Sequence, residues 1–407
     1  MCRPWNNNLT MNRSTTETMK TNWRMPRPSA MMKFAAITLL LAACGQPATD
    51  ENKEPEQQAI KVGVILPLTG ELASYGEPMQ VGMRMALDEL DSLAKSGKGV
   101  RFDAEFVDSQ ADAKTGVGGA QKLIQVEGAR YILGDVSSSV TQALVPIAEQ
   151  NKVFLLSPGA SSPALENISP FFARNYPSSV SESAAAANFS RETLKAGTAV
   201  IVYVNAEYGL GLEKKYREVF TGAGGSIAES IAYEFERTDF RNLLVKLKGI
   251  KADVIYLAGN QREMGNFIKQ YRQAGIAMPV VSNISFLQPD CLALAGKAAD
   301  GVMVPVADYD PNDPEQASAY AFAQAYKRRT GNEVSLPFAV GYDAVMLLAK
   351  GIGEVGNDAT KVAAYIRDLK NYPGALGILN FTQGEVEMPI TIKVVENGSV
   401  LDYSQQD

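Results

Sequence analysis

Apolar residues between positions 62 and 281 fall into short runs separated by stretches of helical periodicity. The runs are residues 62–66, 102–107, 131–133, 153–156, 199–204, 254–258 and 279–281. Helical spacing is clear after the first run, where Met79, Met83 and Leu90 stand at i, i+4 and i+11. Further helical segments are predicted at 115–127, 139–150, 181–195, 211–221, 239–249 and 262–274. This alternation predicts an α/β fold with parallel sheets covered by helices on both faces.

The alternating region is too long for a single hydrophobic core. It covers about 345 of the 407 residues, and cores of one domain stop growing well before that size. We therefore expect two lobes, each a parallel sheet flanked by helices. In such sheets ligands bind beyond the carboxyl ends of the strands, so the loops that follow strands are the candidate binding loops.

The N-terminal region has the pattern of a bacterial export signal. Basic residues precede the ten-residue apolar run Phe34–Ala43, which is followed by Cys44. Ten residues suit the apolar part of a signal peptide and are too few to span a bilayer. The segment Leu41–Cys44 resembles a lipoprotein cleavage box, which predicts a signal peptide over 1–43 and lipidation of Cys44; a plain secretory signal with a chance cysteine is the alternative. Residues 1–24 fit neither pattern, so an upstream mis-start is a further interpretation.

Removal of residues 1–43 makes the chain strongly acidic. The remainder keeps 33 of the 39 basic and 44 of the 45 acidic residues, a net charge of −11, which disfavours nucleic-acid binding. Residues 44–60 are polar and predict a flexible tether between the lipid and the folded body. The sequence contains no histidine, which excludes a histidine-based catalytic triad and histidine-ligated metal. We expect no metal, no cofactor and no catalytic residues.

The stretch LPLTGELASYGEPMQ, residues 66–80, has the strand, glycine loop and helix order of a phosphate-binding loop. A nucleotide loop of this kind places Lys and Ser or Thr after its last glycine, whereas Gly76 is followed by Glu77 and Pro78. The sequence therefore excludes a nucleotide cradle. The loop does place Tyr75 beyond the end of a strand, where its ring either covers an apolar ligand or packs on its own helix.

Two later strands each end in a loop of small polar residues. Gly134–Ser139 reads GDVSSS, and Ser157–Pro163 reads SPGASSP. Hydroxyls in such positions cap helices or form turns, but two adjacent loops of this kind also provide donors for a carboxylate at the positive end of a helix. The pair Asp108 and Asp112 is better explained as a solvated loop than as an acid and base.

Taken in order, these loops resemble those of the type I periplasmic solute-binding proteins of ABC importers, in particular the leucine/isoleucine/valine-binding family. The matching stretches are VGVILPLTGELASYGEPMQVGMRMALDEL, YILGDVSSSVTQALVPIAEQNKVFLLSPGASSPAL, VNAEYGLGLEKKY, LAGNQREMGNFIKQ and GYDAV. The resemblance covers residues 61 to 403. It implies two lobes joined by three crossovers that close like a hinge over a small molecule, without catalysis.

The resemblance also implies roles for individual residues. Tyr75 matches an aromatic position that lines the ligand side chain, and Ser138 matches a serine that binds the ligand carboxylate. Gly159 and Ser161 match positions that bind carboxylate and ammonium, and Tyr208 matches a tyrosine of the second lobe that closes on the ligand. The full predicted ligand-binding set is Tyr75, Ser138, Gly159, Ala160, Ser161, Tyr208, Gln261 and Ser285.

Two stretches depart from the family pattern. Asn260-Gln261 stands where the leucine binders carry a tyrosine, and Ser282–Phe286 contains no acid where they carry a glutamate that pairs with the ligand ammonium. An ammonium enclosed without a counter-charge is unfavourable. Either another acid reaches the site or the ligand lacks an α-ammonium.

We thus expect a monomeric, extracytoplasmic lipoprotein that binds an amino acid or related hydrophobic carboxylate and delivers it to an ABC permease. Lobe 1 should comprise residues 61–176 and 307–377, and lobe 2 residues 177–306 and 378–407. The alternatives are a ligand-sensing receptor with the same fold, or import of a non-amino-acid solute such as an aromatic or aliphatic carboxylate. An enzyme is disfavoured because only carboxylate chemistry would remain.

Overall fold

The computed structural model describes residues 59–403. The predicted signal peptide, Cys44 and nearly all of the predicted tether lie outside the described residues. The first strand begins at Ile60, at the end of the range that was predicted to be tether.

Each of the two lobes is built from two separate segments of the chain. Lobe 1 begins with β1 (Ile60–Leu66), α1 (Ala73–Lys95), β2 (Phe102–Asp108), α2 (Ala113–Gln125), β3 (Tyr131–Gly134), α3 (Ser138–Gln150), β4 (Phe154–Ser157) and β5 (Phe172–Arg174). Lobe 2 follows with α4 (Ser179–Asn188), β6 (Thr198–Val204), α5 (Glu207–Gly222), β7 (Ser226–Tyr233), α6 (Arg241–Lys248), β8 (Val254–Ala258), α7 (Gln261–Gln273), β9 (Val280–Ser282), α8 (Pro289–Ala295) and β10 (Val302–Ala307). The chain returns to lobe 1 with α9 (Ala317–Thr330), α10 (Leu336–Val355), α11 (Ala359–Arg367), β11 (Tyr372–Gly374), β12 (Gly377–Leu379), β13 (Phe381–Thr382) and β14 (Glu385–Val386). It then re-enters lobe 2 with β15 (Ile390–Glu396) and β16 (Ser399–Asp402).

Each lobe contains one main sheet. The lobe 1 sheet has five parallel strands in the order β2-β1-β3-β4-β5. The lobe 2 sheet has seven strands in the order β16-β15-β10-β9-β8-β6-β7, and only the pairs made by β15 are antiparallel. The observed architecture confirms the predicted α/β class of parallel sheets flanked by helices.

Helices cover both faces of each sheet. In lobe 1, α1, α10 and α11 contribute to one core and α2 and α3 to the other. In lobe 2, α6, α7 and α8 pack on one face and α4 and α5 on the opposite face. Strands covered on both sides are continuously apolar, as the run Val254–Ala258 in β8 illustrates.

The close crossing of α1 and α10 brings a distant part of the chain to the cleft. A Cβ atom on Gly341 would lie 2.3 Å from the carbonyl oxygen of Met79, so only glycine permits this approach. Among the described residues, α10 is also the one helix long and apolar enough to cross a membrane, but most of it is buried in lobe 1, as expected of a core helix.

The chain passes between the lobes at residues 175–178, 308–316 and 387–389. The predicted third boundary, at residue 378, is too early, because Leu379, Phe381 and Val386 are buried in the lobe 1 core and lobe 2 resumes only where β15 pairs with β10. The strands β11 to β14 have two or three residues each. Such short strands leave no periodicity from which a boundary could be predicted.

Candidate functional site

A cavity of about 280 Å³ lies between the two lobes, at the carboxyl ends of the strands. The apolar residues lining it are Leu72, Met79, Ala111, Val136, Pro158, Gly159, Ala206, Phe235, Ile284, Leu336, Pro337 and Val340. The polar ones are Tyr75, Ser137, Ser138, Ser139, Ser161, Tyr176, Tyr208, Asn260, Ser285 and Gln288. No side chain in either group carries a charge at neutral pH. The volume is at the small end for ligand sites.

The structure brings six of the eight predicted binding residues to this cavity: Tyr75, Ser138, Gly159, Ser161, Tyr208 and Ser285. Ala160 does not line it. Its N–H donates to Ser157 Oγ at 3.0 Å, and its carbonyl oxygen accepts from Arg174 at 3.1 Å. Ala160 therefore shapes the loop rather than facing the cavity.

Gln261 does not line the cavity either. It is the first residue of α7, is 1% exposed and donates from Nε2 to Ser74 Oγ across the cleft. Arg262 Nη1 lies 3.1 Å from Glu71 Oε1 in the same region. These two neighbouring contacts join lobe 2 to lobe 1, so the lobes are closed over the cavity.

The sequence left two roles open for the serines after β3, capping of the next helix and donation to a ligand, and the structure shows that different serines are suited to each role. Ser137 caps α3, because its side chain accepts from the N–H of Val140. Ser138 instead lines the cavity, and its Oγ accepts from the N–H of Ser162 at 3.2 Å. Since that oxygen already accepts, the hydroxyl proton of Ser138 is free to be donated. The N–H groups of Ser138 and Ser139 stand in the first turn of α3, where helices leave N–H groups without partners in the helix.

Asp135 accepts hydrogen bonds from both serine loops, the one after β3 and the one after β4. Its Oδ1 accepts from the N–H of Ser137 at 2.6 Å, and its backbone oxygen accepts from Ser157 Oγ at 2.8 Å. Burial raises the pKa of Asp135 to about 7. The raised pKa means that Asp135 carries less negative charge at neutral pH than an exposed aspartate, which lowers its repulsion of an anion bound in front of Ser138.

Tyr75 reaches the cavity because α1 starts very close to the end of β1. A Cβ atom on Gly76 would lie 2.0 Å from the carbonyl oxygen of Pro67, so this glycine permits close backbone packing. The Tyr75 hydroxyl is buried and has no hydrogen-bond partner among the described residues. Burial raises the pKa of Tyr75, and the Ser285 hydroxyl opposes part of that rise.

Lobe 2 presents Tyr208 and Ser285 to the cavity. Asn283 Nδ2 donates to the Tyr208 hydroxyl at 2.8 Å. Burial raises the pKa of Tyr208, and the hydroxyls of Ser285 and Ser161 oppose part of that rise. Tyr208 therefore lies beside hydroxyls from both lobes.

Glu182 is a buried acid close to this group. It belongs to α4, is 3% exposed, and its Oε1 accepts from the Tyr176 hydroxyl at 3.4 Å. Burial raises the pKa of Glu182 to about 8. Tyr176 lines the cavity and Glu182 stands behind it.

Within residues 59–403, no three or more His, Cys, Asp or Glu side chains are grouped as metal ligands. Cys291 is buried, and burial raises its pKa. Its thiol is therefore neither a metal ligand of such a group nor an exposed nucleophile.

Comparison with known proteins agrees with the fold and the position of the cavity. The family described as "Periplasmic binding protein" matches residues 59–399. The chain belongs to the periplasmic binding protein family. This membership confirms the predicted resemblance and implies an extracytoplasmic location.

This periplasmic binding protein is 26% identical over 310 residues to the leucine-, isoleucine-, valine-, threonine- and alanine-binding protein of Pseudomonas aeruginosa, covering 76% of this chain and 82% of the relative. The crystal structure of a leucine-binding protein, LivK, from Thermotoga maritima aligns with TM-score 0.79 and 28% identity, over 85% of this chain and 98% of the other. These relatives are solute-binding proteins, which confirms the prediction that the protein is not an enzyme.

A solute-binding protein from R. palustris in complex with benzoate aligns with TM-score 0.73 and 22% identity, over 85% of this chain and 95% of the other. At that identity the likeness shows the fold alone. The same fold thus holds both leucine-binding and benzoate-bound proteins, so the ligand must be inferred from the cavity itself.

Several lining residues were not in the predicted ligand-binding set, although some lie in loops that the sequence analysis had pointed to. Ser137, Ser139, Pro158, Asn260 and Ile284 directly neighbour predicted positions and follow strands, so a wider window at each strand end would have found them. Leu336, Pro337 and Val340 belong to α10 and reach the cavity only through its crossing with α1. No local signal in the sequence marks that approach.

Proposed function

We propose that this periplasmic binding protein binds a small amino acid or related hydrophobic carboxylate between its lobes and delivers it to an ABC permease. The observation that carries the proposal is the group of donors at the start of α3: the Ser138 hydroxyl and the first turn of α3 lie at a cavity whose lining holds no charged side chain. Neutral donors at the positive end of a helix suit a carboxylate. The apolar lining suits an aliphatic or aromatic remainder.

Hinge closure is the proposed mechanism of capture. Donors on lobe 1 bind the carboxylate first, and contacts from lobe 2, such as Tyr208, form only when the lobes approach. A ligand that contacts both lobes stabilises the closed form by its difference in affinity for the two forms. The permease would then recognise the closed, loaded form.

Thermal shift and calorimetry with leucine, isoleucine, 4-methylpentanoate and benzoate test the proposal. A ligand that binds only the folded state raises its stability, by about 4 kcal/mol at a thousandfold excess over Kd. We expect stabilisation by at least one of these carboxylates and none by 4-methylpentanamide, which lacks the charge.

The matched variants are Ser138→Ala and the exposed control Ser96→Ala. Loss of one hydrogen bond to a charged group costs about 1.5–3 kcal/mol, so S138A should weaken binding by about 10- to 100-fold. S96A should leave binding unchanged. Equal affinity of S138A and the unchanged protein would refute the carboxylate site, as would the failure of every carboxylate to bind.

We also propose that Cys44 carries the lipid anchor, which the sequence around the apolar run Phe34–Ala43 supports. Cells expressing the protein should incorporate labelled palmitate into it. Cys44→Ser should abolish labelling and release the protein into the soluble fraction, whereas Cys291→Ser should keep the label. Labelling of the C44S variant would contradict the proposal.

A further inference from the structure

The amide of Asn283 fixes the direction in which the Tyr208 hydroxyl donates. The N–H of Gly259 donates to Asn283 Oδ1 at 3.0 Å. Because a backbone N–H can only donate, this contact fixes the amide orientation, and Nδ2 is the atom that faces Tyr208 at 2.8 Å. Asn283 Nδ2 also donates to the Gly259 carbonyl oxygen at 3.0 Å. The Tyr208 oxygen therefore accepts from Asn283, and its own proton is left for another acceptor, either a ligand atom or one of the neighbouring hydroxyls of Ser161 and Ser285.

A second phenol donor faces the same region from the opposite lobe. The Tyr75 hydroxyl lines the cavity, is buried, and has no partner among residues 59–403. A buried hydroxyl without a partner is unfavourable by about 1–3 kcal/mol, so a ligand atom that accepts from it gains affinity. Burial raises the pKa of both Tyr75 and Tyr208, which keeps both phenols protonated and able to donate.

No ionised acid among the described residues lines the cavity to balance an ammonium. Ser285 lies in the stretch Ser282–Phe286, which contains no acid where the leucine binders that the chain resembles carry a glutamate. Glu182 stands behind Tyr176, and burial raises its pKa to about 8, which leaves it mostly protonated at neutral pH. Glu263 is turned toward the N–H of Glu236, from which its Oε1 accepts at 3.1 Å. An ammonium offers three donors and no acceptor, so it could bond to hydroxyl oxygens here but would meet no counter-charge from the side chains that line the cavity.

We propose that the second polar group of the ligand is a hydrogen-bond acceptor bound by Tyr75 and Tyr208, so that the solute is a 2-oxo or 2-hydroxy carboxylate rather than an α-amino acid. The inference rests on the proposed function, because it assumes that the carboxylate lies at the start of α3. The apolar lining accepts the aliphatic or aromatic side chain of such an acid.

Calorimetry with matched ligand series tests the inference. One series is leucine, 4-methyl-2-oxopentanoate, 2-hydroxy-4-methylpentanoate and 4-methylpentanoate, and the other is phenylalanine, phenylpyruvate and 3-phenylpropanoate. Within the series that fits, we expect the oxo acid to bind about tenfold or more tightly than the unsubstituted carboxylate. The amino acid should bind most weakly.

Two variants on lobe 2 test whether its side chains recognise the ligand selectively or only maintain the fold. Tyr208→Phe should remove the advantage of the oxo acid and leave the unsubstituted carboxylate unchanged, while the control Tyr203→Phe, a part-buried tyrosine outside the cavity, should change neither. Ser285→Glu should reverse the order, with a gain of about tenfold or more for the amino acid and a loss for the oxo acid.

The outcomes distinguish this inference from the function on which it rests. Tighter binding of the amino acid than of the oxo acid by the unchanged protein would overturn the inference and leave the carboxylate site intact. So would a Y208F variant that weakens the oxo acid and the unsubstituted carboxylate equally. Failure of both series to bind would overturn the proposed function and this inference together.

Discussion

The two walls of the cleft, one from each lobe, differ in the side chains that they present to a ligand. On the lobe 1 wall, small residues fill the loops that follow β3 and β4, where Ser138 and the first turn of α3 offer donors that any carboxylate would satisfy. The lobe 2 wall consists of larger side chains, with Tyr208 oriented by Asn283 and with Ser285 in the stretch predicted to lack an acid. Under the proposed function, the β3 and β4 loops of lobe 1 define the class of ligand, and Tyr208 of lobe 2, together with Tyr75 of lobe 1, defines the member of that class.

This difference has an energetic counterpart in hinge closure. Under the proposed hinge closure, lobe 1 contacts would be available in both the open and the closed form, whereas lobe 2 contacts would form only after closure. A change in the β3 and β4 loops of lobe 1 should therefore weaken all carboxylates by a similar factor. A change on lobe 2 should act selectively on particular ligands or on the closing step.

The largest expected loss of affinity on lobe 1 comes from the double variant Ser138→Ala/Ser161→Ala. Two hydroxyls leave the carboxylate end, and at about 1.5–3 kcal/mol for each hydrogen bond to a charged group we expect at least a hundredfold loss of affinity. The loss should be the same for every carboxylate that binds. Calorimetry measures it, with Ser92→Ala/Ser96→Ala as the exposed control.

The contrary result for this double variant would be a selective loss. If one carboxylate lost affinity and another kept it, lobe 1 would itself discriminate between ligands. The division of labour between the two walls would then be wrong, even though the cavity would remain the binding site.

The variant Glu182→Gln tests lobe 2 through the pH dependence of the free energy of unfolding rather than through ligand binding. Burial raises the pKa of Glu182 from 4.5 to about 8, so the folded state holds a proton that the unfolded state loses. Stability from this group is complete below pH 4.5 and is lost as the pH rises through about 8, with a slope of up to about 1.4 kcal/mol per pH unit. Glutamine mimics the protonated carboxyl and removes this loss.

Melting temperatures at pH 5, 7 and 9 test the expectation for Glu182. The unchanged protein and E182Q should melt together at the lowest pH, and E182Q should be the more stable by about 1 kcal/mol or more at pH 9. Asp343, whose pKa burial also raises to about 7, leaves some pH dependence in both proteins. Parallel melting curves at all three values would show that Glu182 is already ionised when folded.

The fold and the lobe 1 wall were predictable because their signals are local. Runs such as 131–133 and 254–258 became β3 and β8, since strands buried on both faces must be continuously apolar. The edge strand β7 was missed because it is exposed along much of its length and carries only a broken apolar pattern. Ser138 and Gly159 lie in the loops that follow β3 and β4; the strand-end rule pointed to these loops, and the family resemblance then singled out the two residues.

The remainder of the site depends on tertiary structure that no local pattern encodes. Gln261 is one position past Asn260, yet the start of α7 turns Asn260 to the cavity and Gln261 to Ser74. The residues from α10 arrive from more than 200 positions away through a helix crossing that glycine permits. The free proton of Tyr208 follows from the hydrogen bonds of Asn283 and could not be inferred from either residue alone.

The smallest expected effect concerns the closing step. Arg262 pairs with Glu71 across the cleft at 3.1 Å, but the arginine side chain is 50% exposed, and exposed ion pairs contribute about 0.2–1 kcal/mol. Arg262→Ala should therefore weaken every ligand by at most about fivefold. Arg241→Ala, which removes an exposed pair within lobe 2, is the matched control and should leave affinity unchanged.

Salt identifies the source of this small effect. Screening weakens exposed pairs, so the difference between R262A and the unchanged protein should shrink as sodium chloride is raised from 50 mM to 500 mM in the calorimeter. A difference that persists at high salt would mean that Arg262 acts through packing rather than through charge. A loss that depends on the ligand would place Arg262 among the residues that select the solute, and lobe 2 would then discriminate at its rim as well as at Tyr208.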